Sequence, residues 1–447
     1  ERTTLHPHRC INNLITSATL CQFTQSSNRS CDCHCSRDST MKGAFVLTVL
    51  LAAATAYYFY IPLPSTISEP WKLMLLGGVH RGIMNVGHLA ESLGICPFSQ
   101  VLNYALTFDK LSPMSNENLL VTDTTVGGVK AQVCQWTGGA VGELKRGVVF
   151  FHGGGWALGS AKKGSYNILC RKMAIDLKAV ILSVDYRLAP EAHFPDQFED
   201  AFQASKHFLH PEVLAQYSVD PERVGVSGDS AGGNLAAAVA QQVAMDSSIS
   251  VKFKVQSLIY PVLQALDFNT PSYQQNHNVP VLSQRLMVWF WLEYLNVDHS
   301  FAHSVLTNNH TALDLNRVEP FRAKVDWTAL LPPRFRKGYE PVVRAHGTPQ
   351  IVEEVPGLLD VRAAPLLAER EVLARTPRAY VLTCEHDVLR DDGLMYGRRL
   401  EEAGVAVTSD HYEDGFHGCL TFAFWPTAFS VGNRSLTNYI AWLDQNL

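Results

Sequence analysis

The sequence of 447 residues has neither an excess of basic residues nor the cysteine spacing of a metal site. Its formal net charge is −5 at pH 7, whereas a nucleic-acid-binding protein presents a basic surface. Cys31, Cys33 and Cys35 are separated by single residues, a gap shorter than zinc ligands show, and no second ligand pair follows. We therefore expect no nucleic acid among the partners and no metal or other cofactor.

Charged residues are also absent from positions 43–68. An apolar stretch of this length can span a bilayer, and we predict an uncleaved signal-anchor transmembrane helix at residues 41–63. A cleaved signal peptide is the alternative, because Ala54-Thr55-Ala56 has the small residues of a signal-peptidase site. The aromatic residues at 57–60 favour the anchor, because such side chains collect at membrane surfaces.

The sequence before Met41 differs in character from the rest. It begins with Glu1 rather than methionine and is rich in serine, threonine, asparagine and cysteine, without sustained periodicity. We interpret residues 1–40 as a non-native or disordered extension.

Two glycine-rich motifs carry the chemistry of the remaining chain. Gly228-x-Ser230-x-Gly232 follows a short apolar strand and precedes a helix of small residues. Such a strand–turn–helix, whose glycines avoid collisions across a sharp turn, exposes the nucleophilic serine of an α/β-hydrolase. Upstream, His152 is followed by Gly153–Gly155, the pattern of the matching oxyanion loop. Together the motifs predict a serine that attacks acyl groups.

Backbone N–H groups of these motifs are the predicted oxyanion donors. We expect Gly153 and Gly154 to contribute two of them, and Ala231 a third at the start of its helix, where anions are favoured. Asp229 precedes the nucleophile, and we expect its carboxylate to point away from the oxyanion, which it would repel.

A serine of this kind needs a base and an orienting carboxylate, which follow it along the chain in the order acid, then histidine. Two predicted strands in the C-terminal part each end close to such a residue. One is followed by Asp387 and the other by a loop that contains His417. We predict Asp387 as the orienting acid and His417 as the general base.

Other residues compete for both roles. His386 and His411 lie within or beside the predicted strands rather than on a loop beyond them. Glu385, Asp391 and Asp392 are the rival carboxylates, and we expect the last two to cap the helix that begins beside them.

Four sequence motifs resemble those of a known protein family. HGGGW at 152–156, DYRLAPE at 185–191, GDSAGGN at 228–234 and DGFHG at 414–418 resemble the hormone-sensitive-lipase-like branch of the α/β-hydrolases. Runs at 257–261, 359–366 and 388–396 are similar to the arylacetamide deacetylase family within it. The resemblance covers roughly residues 41–447. It implies the same triad, Ser230, Asp387 and His417, with the oxyanion loop at Gly153 and Gly154.

One departure from that family concerns a disulfide. The resemblance implies a cysteine after the HGGGW run, paired with the cysteine before the catalytic aspartate. Here Ala157 occupies the first position, so Cys384 lacks that partner and the disulfide is either absent or rewired.

The fold class expected from the whole pattern is α/β. It is a mostly parallel sheet of eight strands with helices on both faces and a helical cap. We predict N-terminal cap helices at 64–115 and a catalytic α/β-hydrolase domain at 116–447, with a cap insertion at about 264–356. Within that insertion, residues 284–294 have helical character and carry aromatic side chains, either as plain packing or as a substrate wall. The predicted strands lie near 119–126, 129–136, 147–151, 179–185, 223–227, 255–260, 379–384 and 405–412.

The resemblance also implies a function and a location. It indicates a membrane-anchored serine carboxylesterase and amidase acting on short-acyl esters and aryl acetamides of lipophilic compounds, with glycerolipid esters as further candidates. A neutral lipid or cholesteryl ester hydrolase of the same branch is the alternative, and a non-catalytic ligand-binding homologue is a remote one. The implied location is the endoplasmic reticulum membrane, single-pass type II, with the catalytic domain in the lumen. Candidate N-glycosylation sites at Asn309 and Asn433 agree with that topology. The oligomeric state is left open.

Overall fold

The computed structural model describes residues 35–107, 110–140 and 142–447. Their contacts form two compact units. The larger unit comprises residues 64–70 and 103–447, and the smaller comprises residues 71–102 with the chain before residue 64. The extension predicted at residues 1–40 lies mainly outside the described residues, and its described part, from Cys35 onward, is helical.

Eight strands of the larger unit form one sheet in the order β1-β2-β4-β3-β5-β6-β7-β8. The pairs β1–β2 and β2–β4 are antiparallel, and every other neighbouring pair is parallel. The predicted mostly parallel, eight-stranded sheet is therefore confirmed. The strands are β1 (Leu119–Val126), β2 (Val129–Trp136), β3 (Lys145–Phe151), β4 (Ala179–Val184), β5 (Val219–Asp229), β6 (Val255–Ile259), β7 (Arg378–His386) and β8 (Val407–Phe416).

Helices connect most of the parallel strands, as a parallel sheet requires. Every residue of β4 and of β6 is buried, so side chains that point to opposite faces of the sheet are both covered. The helices before β6 are α1 (Cys35–Phe59), α2 (Pro70–Ser92), α3 (Phe98–Thr107), α4 (Gly164–Asp176), α5 (Asp196–Phe208), α6 (Pro211–Gln216) and α7 (Ala231–Met245).

A long segment of short helices separates β6 from β7, where the cap insertion is predicted. Its helices are α8 (Pro271–Asn276), α9 (Gln284–Leu295), α10 (Ala302–Leu306), α11 (Glu319–Arg322), α12 (Trp327–Leu330), α13 (Pro333–Arg336), α14 (Gln350–Glu354) and α15 (Arg370–Leu373). Two helices follow it, α16 (Arg390–Glu402) and α17 (Ser430–Asn446). The aromatic helix predicted at 284–294 corresponds to α9.

The N-terminal anchor is the part of the predicted fold that the structure leaves open. The predicted segment 41–63 falls largely within α1. Among the residues described, no helix combines the length and the apolar character needed to cross a bilayer. The transmembrane segment stays a prediction.

The sheet topology places three strand ends side by side. Strands β5, β6, β7 and β8 are parallel neighbours, so their carboxyl ends lie along one edge of the sheet. Ser230, Asp387 and His417 are each the first residue after one of these strands. This edge is where an open α/β sheet places its ligand site.

Candidate active site

Ser230 occupies a sharp turn between a strand and a helix. Strand β5 ends one residue before it and α7 begins one residue after it, and its φ is +55°. A Cβ on Gly228 would collide with the carbonyl oxygen of Gly232, and a Cβ on Gly232 would collide with that of Phe151. The two glycines of the motif are therefore required because backbone segments meet at this turn.

The structure brings the three predicted catalytic residues together. His417 Nε2 lies 3.0 Å from Ser230 Oγ, and His417 Nδ1 lies 2.8 Å from Asp387 Oδ2. Ser230 is 9% exposed, His417 7% and Asp387 1%. Ser230 and His417 therefore keep a small exposed surface, whereas Asp387 is enclosed.

Backbone and side-chain donors hold Asp387 in place. The Leu389 N–H donates to Asp387 Oδ1 at 2.8 Å. The Asn276 side-chain amide, from the end of α8, donates to the carbonyl oxygens of Asp387 at 3.1 Å and of Glu385 at 3.0 Å. A helix of the insertion therefore fixes the turn that carries the carboxylate.

The rival histidines contact other partners. His386 Nε2 lies 2.8 Å from Thr66 Oγ1. His411 lies between two partners: its Nδ1 is 2.9 Å from Thr383 Oγ1, and its Nε2 is 3.1 Å from Glu385 Oε2. Burial alone would raise the pKa of Glu385, but the hydrogen bond with His411 and the charge of Arg390 outweigh it and lower this pKa to about 2. Neither histidine reaches Ser230.

Asp391 and Asp392 lie in the first turn of α16, but the prediction that they cap it is wrong. The residue at the N-cap is Leu389, and no side chain caps the helix. Asp391 Oδ2 instead accepts a hydrogen bond from Ser272 N at 2.6 Å, and Asp392 Oδ2 accepts one from Leu263 N at 2.9 Å. Both carboxyls are buried because they satisfy backbone donors of the segment that follows β6.

The Gly153 N–H does not have the predicted role. It donates to Asp229 Oδ1 at 2.8 Å and lies 3.0 Å from the Tyr166 hydroxyl oxygen. The Tyr166 hydroxyl donates in turn to Asp229 Oδ2 at 3.1 Å. The Gly153 donor is therefore engaged within the protein, and sequence reasoning missed both partners. The carboxylate of Asp229 faces this loop and the buried tyrosine.

The next two glycines keep their N–H groups available. Within the described part of the chain, no hydrogen-bond partner is found for the amide N–H of Gly154, Gly155 or Ala231. Gly154 has φ +117° and Gly155 has φ +59°, conformations that turn the loop sharply. The Cβ of any other residue at position 154 would collide with the Leu158 carbonyl oxygen.

His152 stabilises the loop rather than reaching the nucleophile. Its ring stacks on Tyr186 at a centroid distance of 4.4 Å, and its Nδ1 lies 2.8 Å from the Gly153 carbonyl oxygen. The Tyr186 hydroxyl donates to the His152 carbonyl oxygen at 2.7 Å. Among the described residues, no cluster of His, Cys, Asp and Glu side chains has an arrangement that could hold a metal ion.

Comparison with known proteins identifies the family. Residues 148–358 and 345–421 match a family model described as the alpha/beta hydrolase fold. The chain is an α/β-hydrolase. Mouse neutral cholesterol ester hydrolase 1 is 53% identical over 408 residues, which cover 91% of this chain and 100% of the relative. Rabbit arylacetamide deacetylase is 45% identical over 402 residues, which cover 90% of this chain and 99% of the relative.

Solved structures of esterases agree with the sequence relatives. An esterase from Pyrobaculum calidifontis is 26% identical with a TM-score of 0.57, and the match covers 85% of this chain and 98% of the esterase. A structure from work on two fungal esterases of Rhizomucor miehei is 26% identical with a TM-score of 0.58, covering 78% and 90%. The predicted resemblance to arylacetamide deacetylase is confirmed, and this α/β-hydrolase is a carboxylic ester hydrolase.

Helix α9 supplies an aromatic wall beside the glycine loop of the hydrolase. A Cβ on Gly155 would collide with the Phe290 ring. Trp156 stacks on Tyr294 at 4.1 Å and lies 4.8 Å from Trp291, measured between ring centroids. All four of these aromatic side chains are buried, so they pack against the glycine loop.

Tyr260 is a further residue of the hydrolase site that sequence reasoning missed. Its ring centroid lies 4.9 Å from that of His417, and its φ is +35°. In the described part of the chain its buried hydroxyl has no hydrogen-bond partner. Its place directly after β6, between the strands that lead to Ser230 and Asp387, was the available signal.

The cysteine substitution noted in the sequence has a structural counterpart. Ala157 is buried, and Cys384 forms no disulfide. Instead, the Sγ of Cys384 lies 3.6 Å from the Sγ of Cys419, and both thiols are buried.

Proposed function

We propose that the chain hydrolyses lipophilic carboxylic esters with Ser230 as nucleophile, His417 as general base and Asp387 as orienting acid. The continuous contact from Asp387 through His417 to Ser230 carries the proposal. The position of the serine at the turn between β5 and α7 supports it further, because that turn exposes the hydroxyl.

The proposed reaction follows from these contacts. Ser230 Oγ attacks the ester carbonyl while His417 Nε2 takes its proton. Asp387 accepts the Nδ1–H of His417, which fixes the tautomer that leaves Nε2 free to accept. His417 then gives the proton to the departing alcohol, and a water repeats the sequence on the acyl-enzyme.

We assign the oxyanion donors to Gly154, Gly155 and Ala231, in place of the predicted set that included Gly153. These three N–H groups have no partner among the described residues, whereas the Gly153 N–H is engaged by Asp229. Losing one such donor reduces the rate by about 10²–10³-fold in comparable sites.

Two substrate classes remain candidates. The family resemblance implies short-acyl esters and aryl acetamides, and the relative at 45% identity is named arylacetamide deacetylase. The greater identity, 53%, is to a protein named neutral cholesterol ester hydrolase 1, and it favours lipid esters such as cholesteryl esters. We place lipid esters first and aryl acetamides second.

The proposed setting is the endoplasmic reticulum membrane, with the catalytic domain in the lumen and the uncharged stretch 43–68 as anchor. Asn433 is exposed on α17, and Asn309 is half-buried. Glycosidase treatment should shift the gel mobility of the unmodified protein. If Asn309→Gln or Asn433→Gln abolishes that shift, the substituted asparagine is the glycosylated one. A protein without carbohydrate at either asparagine would remove this support for the lumenal location.

A substrate panel tests the function. Membranes carrying the unmodified protein or Ser230→Ala receive a cholesteryl ester, a short-acyl aryl ester and an aryl acetamide. We expect Ser230→Ala to lower kcat/KM by about 10⁴-fold or more on every accepted substrate. Ser247→Ala, an exposed serine, is the matched control and should leave the rates unchanged. Equal rates for Ser230→Ala and the unmodified protein would refute the proposal, and turnover of the acetamide alone would reverse the substrate order.

A further inference from the structure

Helix α2 carries an exposed apolar stripe that its own packing does not use. Six large side chains on it are each between 48% and 64% exposed. At 3.6 residues per turn they fall, with Gly82, within an arc of about 80° along about 33 Å of helix. They are Trp71, Leu75, Val79, Val86, Leu89 and Leu93, the last directly after the helix end.

Another side of α2 is the packing side. Its buried residues are Leu73, Gly77, Gly78, Gly87 and Ala90. Gly78 receives the ring of Phe59 and Gly87 receives that of Phe98, since a Cβ at either glycine would overlap the ring. The exposed polar residues Arg81, Asn85 and His88 form a third side. The apolar stripe is therefore a separate surface, free of charged residues.

The end of α1 lies against α2 and continues the apolar character. The Tyr58 hydroxyl donates to the Gly78 carbonyl oxygen at 3.3 Å, and the Arg81 guanidinium lies 5.2 Å from the Tyr58 ring centroid. Large side chains of α1, among them Phe45 at 70% and Leu50 at 61%, are exposed as well. Exposed apolar side chains are therefore present on both α1 and α2 of this compact unit.

We propose that α2 lies flat on a lipid bilayer, with this stripe inserted at the boundary between the headgroups and the acyl chains. An interfacial helix has an apolar face that carries Trp, Phe or Leu and a separate polar face, and α2 has both. Trp71 at its start is of the type that collects at membrane surfaces. Arg81 lies on the adjoining polar side, where its charge is placed to meet lipid phosphates. The proposal does not require α1 to cross the bilayer, and it goes beyond the proposed reaction by assigning a lipid-binding surface to the chain.

Trp71 provides a direct probe of depth. The full-length protein is mixed with phosphatidylcholine vesicles whose acyl chains are brominated, which quenches tryptophan in the acyl region. The Trp71 signal is the difference between the unmodified protein and Trp71→Phe. We expect this difference signal to be quenched, and to lose about half or more of its quenching in Val79→Asp/Val86→Asp, because charge is costly at that depth.

Asn85→Asp is the matched control, because it adds a charge to the polar side of the same helix and should leave the quenching unchanged. Turnover of a water-soluble short-acyl ester at the unmodified rate shows that each variant is folded, and it reports the proposed reaction independently of lipid. An unquenched Trp71 signal, whether or not the protein sediments with the vesicles, would overturn the proposal. The proposal would also be overturned if the protein formed a dimer in which Trp71 is not quenched and which Val79→Asp/Val86→Asp dissociates. In that case a second copy of the chain would cover the stripe.

Discussion

At the scale of single residues, Asp229 sets the shape of the site without belonging to the triad. Its carboxyl joins the turn that carries Ser230 to the glycine loop through the Gly153 N–H, and to the core through the Tyr166 hydroxyl. Burial raises its pKa to about 6, although those two hydrogen bonds act in the opposite direction. The residue therefore organises the oxyanion loop while carrying a titratable group beside the reaction centre.

This raised pKa predicts a pH dependence of stability. The ordinary pKa of an aspartate is 3.8, so between about pH 4 and 6 the folded state holds a proton that the unfolded chain releases. The contribution of Asp229 to the free energy of unfolding therefore falls by up to about 3 kcal/mol as pH rises through that window. Above the window it stays at the lower value. Asp229→Asn removes this contribution. The stability of the variant, measured relative to that of the unmodified protein, should therefore be greater at pH 7.5 than at pH 4.5.

Urea unfolding at the two pH values measures this difference. Glu212→Gln, an exposed carboxylate, is the control and should show the same stability difference from the unmodified protein at both pH values. An Asp229→Asn difference that is also independent of pH would show that Asp229 titrates normally in the folded protein.

At the scale of elements, Arg390 joins four segments behind Asp387. It lies at the start of α16, with 1% of its side chain exposed, and pairs with Glu385 at 2.8 Å and Asp391 at 2.9 Å. It also donates to Gln275 Oε1 at 2.8 Å and lies 4.8 Å from the Phe335 ring centroid. These contacts tie β7 to α8 and α13, so the insertion is connected to the strand end that carries the acid.

Breaking that connection should be costly. Arg390→Met leaves the buried Asp391 and the half-buried Glu385 without this cation. Removing one partner of a buried ion pair destabilises proteins by about 3–5 kcal/mol. Arg398→Met is the control on the same helix, because Arg398 is 53% exposed and its ion pairs with Glu401 and Glu402 contribute little. Denaturant unfolding of both variants makes the comparison. Equal stabilities would mean that the buried pairs around Arg390 contribute no more than a surface pair.

The elements that the sequence predicted well are those with a strong local signal. Strands β3, β4 and β7 each contain a short apolar run. Ser230, Asp387 and His417 could be located because each lies shortly beyond a predicted strand. Helices α10 to α15 span only four or five residues each, too few to show a helical period. Asn276, Tyr166 and the engagement of Gly153 by Asp229 depend on tertiary contacts, which leave no mark in local sequence.

At the scale of the whole molecule, the site is assembled from residues far apart in sequence because parallel strands share one edge. The opposite edge holds the frame together. Arg146, near the start of β3, donates to the Leu177 carbonyl oxygen at 2.7 Å and to that of Leu447 at 3.0 Å, and pairs with Asp444 at 2.9 Å. One side chain thus joins the central strands to α4 and to the residues at and after the end of α17.

Because Arg146 lies at the edge remote from Ser230, its loss should lower stability without lowering activity. Arg146→Ala removes the cation from its contacts with Leu177, Asp444 and Leu447. We expect a loss of about 1–3 kcal/mol in the free energy of unfolding. The kcat/KM for a short-acyl ester should stay unchanged at temperatures where the variant is folded, because the carboxyl end of β3 is intact. Arg285→Ala, an exposed arginine on α9, controls for the loss of one charge. A fall in kcat/KM without a fall in stability would show that strain at this edge reaches the oxyanion loop through β3.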